Sequence, residues 1–115
     1  VYYDYKNDIL LFKVKDREYD VSLEFGDVIV DKDKEGFITG IQIFDASKFL
    51  NVPRTGLLHI KGWKFDAQVE GKVVSVNLQF AAMLRNKLTR HMSQNIIRES
   101  TSAIGDSRTL CTVAV

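Results

Sequence analysis

Val74-Ser75-Val76-Asn77-Leu78-Gln79-Phe80 alternates apolar and polar residues without a break, and the even positions stay apolar at Ala82, Leu84 and Leu88. A period of two marks a strand with one buried and one wet face. The stretch also carries a rival pattern, because Ala81, Leu84, Leu88 and Met92 fall at helical spacing among good helix formers. The unbroken alternation from Val74 favours a long β-hairpin, with Asn86-Lys87 as its turn. That choice makes the chain mainly β.

The neighbouring segments agree. Phe65, Ala67 and Val69 share one face of a strand over 64–69, and Glu70-Gly71-Lys72 forms the turn into Val74. Leu110 to Val115 is a last, β-branched strand behind a polar loop at 100–107. Upstream, Tyr19, Val21, Leu23 and Phe25 alternate with Asp20, Ser22 and Glu24, and Leu10, Phe12 and Val14 share a face. The charged linker Lys15-Asp16-Arg17-Glu18 reads as the hairpin loop between these two. Val28-Ile29-Val30 and Phe37 to Phe44 add two strands around Asp31-Lys32-Asp33-Lys34-Glu35-Gly36. Asp45 is placed to cap a short helix through Leu50, and Pro53 to open a second one through Leu57, Leu58 and Ile60. The expected fold is therefore mainly β with a minor helical part. It is an antiparallel meander forming a sandwich or open barrel, with one or two short helices near residues 45–61.

Tyr3-Asp4-x-x-Asn7-Asp8-Ile9-Leu10, Val28-Ile29-Val30-Asp31 and Gly36-x-Ile38-x-Gly40-Ile41-x-Ile43-x-Asp45-Ala46-Ser47 together resemble a small prokaryotic β-domain family. That family is known as domain of unknown function number twenty-two eighty-three. The resemblance covers about residues 3–50 and implies a small β-meander closed by a short helix, with no known activity. Some relatives are encoded beside toxins, which implies a protein partner. Residues 57–115 then read as a basic, β-rich extension of one domain spanning 1–115.

Charge is divided unevenly along the 115 residues. Residues 1–50 hold seven basic and eleven acidic side chains, a net −4, whereas 51–115 hold nine and four, a net +5. No Asp or Glu lies between Gly71 and Arg98, where Lys72, Arg85, Lys87, Arg90 and Arg98 fall. The total of +1 argues against a general polyanion binder. With 45% hydrophobic residues and one proline, the chain is neither disordered nor low-complexity. The single cysteine, Cys111, forms no internal disulfide, and the longest uncharged stretch, 73–84, has 12 residues, too few to span a bilayer. Asp4, Lys6 and Asp8 leave no apolar signal segment, so a cytoplasmic protein is expected, although Val1 in place of Met points to a natural start upstream.

Several residues are candidates for chemistry. Asp31, Asp33 and Glu35 with Gly36 and Ile38 mimic the start of a calcium loop, but the twelfth position is Gln42 rather than a bidentate Glu, and a charged hairpin turn explains the pattern without an ion. Asp4, Asp8 and Asp45 converge if the first and fourth strands are neighbours, as a small metal-dependent hydrolase would require. The plainer reading has them fixing turns and a helix end. Cys111, His59 and His91 supply no nucleophile–base pattern, since a thiol within Leu110-Cys111-Thr112-Val113 behaves as a small hydrophobe. Arg85, Lys87, Arg90, His91 and Arg98 form a candidate binding surface, with Trp63, Phe65 or Phe80 as stacking partners for a nucleic acid. The sequence calls for no cofactor. It is read first as a non-catalytic protein-interaction or oligomerisation module forming a homodimer, then as a nucleic-acid binder, then as the hydrolase.

Overall fold

A computed structural model describes residues 1–14, 17–101 and 103–113, except the side chains of Leu84 and of residues 88–93. Among the described residues, nine strands and two one-turn helices follow in order: β1 Tyr2–Asp4, β2 Ile9–Lys13, β3 Val21–Glu24, β4 Val28–Lys32, β5 Ile38–Phe44, α1 Ala46–Leu50, α2 Arg54–Leu57, β6 Ile60–Glu70, β7 Val73–Leu84, β8 Lys87–Glu99 and β9 Ser107–Val113. They form two antiparallel sheets, ordered β1-β2-β5-β4-β3 and β8-β7-β6-β9. The chain is mainly β, as its alternation requires, and among the described residues no barrel closes.

The deciding segment is a strand. β7 pairs with β8 from Val73↔Glu99 to Leu84↔Lys87, so the two-residue turn is Arg85-Asn86 and not Asn86-Lys87. Both turn residues take positive φ, 50° and 64°, the hand that matches the twist of a tight hairpin. Asparagine tolerates that region, and the ladder carries arginine into it. Leu88 and Met92 of the rival helical pattern have side chains outside the described residues.

The hairpin expected between β2 and β3 is not made. β2 lies beside β5 instead, with Leu10↔Ile43 and Phe12↔Ile41. That register puts four fully buried side chains in one row, which pairing with the exposed edge strand β3 would not. Tyr19 and Val21 are correspondingly 59% and 39% exposed, and only Leu23 and Phe25 of the expected face reach the core. β1 was not legible in the sequence. It has three residues, too few to show a period.

The sheets share one core. Leu10, Phe12, Val28, Val30, Ile41 and Ile43 face Trp63, Phe65, Val69, Val74, Val76, Leu78, Phe80 and Ile96. The Phe12 ring meets Trp63 edge-on, 5.2 Å between centroids, and leans on Phe80 at 6.3 Å. Full burial of each such side chain is worth roughly 1.5–3 kcal/mol. Trp63, Phe65 and Phe80 are therefore spent on the core, at 7%, 1% and 5% exposure, and offer no stacking surface.

Candidate functional site

β2 and β5 are neighbours, so the condition for Asp4, Asp8 and Asp45 to approach is fulfilled, but the Asp4 and Asp8 carboxylates are taken up by separate partners. Asp8, 2% exposed, accepts from the Tyr3 hydroxyl at 2.6 Å, the Ser47 amide at 3.1 Å and the Ser47 hydroxyl at 2.6 Å. Arg54 Nε stands 3.9 Å away. Burial opposes the charge on Asp8, but the Ser47 and Tyr3 bonds outweigh it and hold the carboxyl below its ordinary range. Burial, and after it the bond to Asp8, push the Tyr3 phenol well above its ordinary value. Asp4 spends both oxygens on the Asn7 backbone and side-chain amides.

Asp45 does not cap α1 with its carboxylate. It takes the left-handed φ of 49° and makes no side-chain cap bond, whereas a capping residue normally sits in the β region. Asp8 supplies that service from a distant turn. Pro53 stands one position before α2 rather than inside it, and Ile60 already belongs to β6.

The calcium-like loop is closed by its own bonds. Asp33 Oδ1 accepts the Glu35 and Phe37 amides, both at 3.0 Å, while Oδ2 accepts Arg17 Nη1 at 2.6 Å. Arg17 also lies 4.8 Å over the Phe37 ring. Asp31 Oδ1 accepts the Ser22 hydroxyl at 2.7 Å. Gln42 lies within β5. Among the described residues no group of three or more His, Cys, Asp or Glu is arranged to hold a metal ion.

The basic stretch is dispersed. Arg85 occupies the hairpin turn instead of a strand face, and Lys87 is exposed beside it. Arg98 reaches across to the Asp27 carboxylate through Nε and Nη2, a bond that holds Asp27 below the usual carboxylate range. The Arg90 and His91 side chains lie outside the described residues. His59 is exposed just after α2, and its carbonyl accepts the Met83 amide.

Among sheet edges, β9 stands apart. Exposed edges invite pairing, and proteins usually shorten, charge or bulge them. β1 and β3 have three and four residues, and β3 carries Glu24. β8 carries Lys87, Arg90, Arg98 and Glu99, and its pairing with β7 is broken by a register shift. β9 runs seven residues, Ser107-Arg108-Thr109-Leu110-Cys111-Thr112-Val113, pairing with β6 without a shift. Its one charge, Arg108, is drawn onto Asp66 at 3.1 Å. Leu110 and Val113 are 57% and 44% exposed. On the inner side Thr109 is 8% exposed, and its hydroxyl has no hydrogen-bond partner among the described residues. No membrane-crossing helix occurs among the described residues.

Residues 1–47 match the family described as Protein of unknown function (DUF2283). An uncharacterized protein of Methanocaldococcus jannaschii is 32% identical over 100 residues, covering 85% of this chain and 79% of its own length. The chain belongs to the DUF2283 family. The matched segment takes in β1 to β5 and ends on Ser47, the residue that bonds Asp8. An alignment of 100 residues cannot fit within the first half, so likeness to the Methanocaldococcus relative extends into the second sheet. A Methanosarcina mazei protein, provisionally named hypoxanthine phosphoribosyltransferase, is 28% identical over 86 residues, 75% of this chain and 70% of its own. No solved structure matches the chain.

Proposed function

We propose that this DUF2283 chain is a non-catalytic protein-interaction or oligomerisation module, one domain working as a homodimer, with the free edge of β9 as its contact surface. The observation that carries this reading is the contrast among the four edges. Among the edges of the described residues only β9 is long, regular and nearly uncharged, with Leu110 turned to solvent. A cytoplasmic setting belongs to the same proposal, supported by the single cysteine.

Rival readings draw less support. Nucleic-acid binding loses Arg98 to Asp27 and the aromatic rings to the core. A metal-dependent hydrolase needs Asp4, Asp8 and Asp45 together, whereas Asp4 and Asp8 are taken up by Asn7 and by Ser47 and Tyr3, and no metal-holding group of three occurs among the described residues. Phosphoribosyl transfer, suggested by the Methanosarcina name, rests on 28% identity, and α1 and α2, of five and four residues, are too short to build a phosphate site at a helix N-terminus.

Light scattering at micromolar concentration tests the proposal. The wild-type chain is expected to show twice its monomer mass, and Leu110→Lys the monomer mass with an unchanged circular-dichroism spectrum. A monomeric wild type would overturn it.

A further inference from the structure

The free edge of β9 also constrains what can lie against it. A strand paired antiparallel with its own copy brings residue i opposite residue j, with a constant sum i + j. Facing side chains must lie on the same face of the pleat, and alternation makes that possible only when i and j are both odd or both even. The two-fold axis must therefore pass through a residue, not between residues. Within Ser107–Val113 the residue that lets every position pair is the middle one, Leu110. Shifting the axis to the next allowed residue on either side leaves two positions at one end of each strand without a partner.

This register satisfies what β9 leaves open. Leu110, 57% exposed, lies opposite Leu110 of the second copy, so two isolated apolar side chains cover each other. Arg108 faces Thr112 of the second copy, so the strand's one charge meets no like charge and keeps its bond to Asp66. On the inner side Thr109, whose buried hydroxyl lacks a partner among the described residues, faces Cys111 of the second copy. A thiol is a weak donor of the kind that hydroxyl can accept. Ser107 faces Val113, itself 44% exposed. A closed two-fold pair leaves no further β9 edge to propagate.

We propose that the partner of β9 is β9 of a second copy, antiparallel and centred on Leu110, joining the two β8-β7-β6-β9 sheets into one continuous eight-stranded sheet. This rests on the oligomerisation reading above and adds the partner and the register. Directly opposed side chains have Cβ atoms about 4.5–5.5 Å apart, close to the span a disulfide or short bis-maleimide bridges.

Cysteine cross-linking in a Cys111→Ala background is the test. Leu110→Cys should give a covalent dimer as the main species after mild oxidation or bis-maleimide treatment. Thr112→Cys alone should stay uncross-linked, since its two copies would lie roughly 13 Å apart along the strands. Mixing Arg108→Cys with Thr112→Cys chains should give the mixed dimer, which keeps the test open if Leu110→Cys folds poorly. Cross-linking of Thr112→Cys alone, or none from Leu110→Cys and the mixture while light scattering still shows a dimer, would overturn the register and leave the oligomerisation reading standing. A wild-type monomer would remove both.

Discussion

Asp8 and Ser47 are 39 residues apart in the chain, yet both oxygens of the Asp8 carboxylate are bonded to Ser47, one to its amide and one to its hydroxyl. The Ala46 amide adds a bond to the Asp8 carbonyl at 3.0 Å. A residue in the β1–β2 turn thus holds the start of α1, and Tyr3 ties β1 to the same group. The family segment is closed on itself by this one buried carboxylate.

Replacing Asp8 by Ala strands the Ser47 donors and the Tyr3 hydroxyl together. Bonds to a charged group are worth about 1.5–3 kcal/mol each, and they share one loss here, so the expected cost is roughly 2–4 kcal/mol. That corresponds to a Tm drop on the order of 10 °C. Asp4→Ala, whose bonds reach only Asn7 at an exposed site, should cost distinctly less. Paired thermal melts check the contrast, and equal losses would show that Asp8 is not the hub.

Stability should depend on pH at both extremes. Asp8 and Asp33 titrate below their ordinary value of 3.8 in the folded state, against the cost of burial, through Ser47 and Tyr3 for Asp8 and through Arg17 for Asp33. Their contribution is present above that ordinary value and is lost as pH falls below it, because the unfolded chain takes up protons first. Tyr3 moves the other way. Its raised pKa makes its contribution complete below 10.0 and lost as pH climbs beyond. Melts in Asp8→Asn should flatten the acid limb, and melts in Tyr3→Phe the alkaline one. A Tyr3→Phe profile identical to wild type above pH 10 would contradict the assignment.

Gly40 has ordinary backbone angles and is required for another reason. A Cβ there would stand 2.9 Å from the Phe12 carbonyl oxygen on the adjacent strand. Because backbone cannot move aside without disturbing the β2–β5 ladder, Gly40→Ala should cost about 1–3 kcal/mol. Denaturant melts measure it. Gly26→Ala is the comparison for strain without crowding, having positive φ and nothing within 4 Å.

Calcium should leave the protein unchanged. Both Asp33 oxygens are engaged by Arg17 and two amides, so binding would first have to break those bonds. A ligand that binds only the folded state raises Tm with concentration. A Tm rise in millimolar calcium that magnesium does not reproduce and Asp31→Ala abolishes would restore the ion site.

Several strands are legible in the sequence alone: Leu10 with Phe12, the apolar run Val28-Ile29-Val30, and the alternation of Val74, Val76, Leu78 and Phe80, whose inner faces are buried. Burial of one face imposes that pattern locally, so it is readable without knowing the partner strand. It also yielded the family segment and the candidate carboxylates. Tertiary structure alone decided that β2 lies beside β5, which makes Asp8 rather than Asp45 the carboxylate that holds α1. It likewise decided that Trp63 is core, and that Thr109 carries a buried hydroxyl without a partner among the described residues. These are outcomes of long-range pairing. A strand's period names its inner face but not its neighbour, and the neighbour determines which polar groups are buried together.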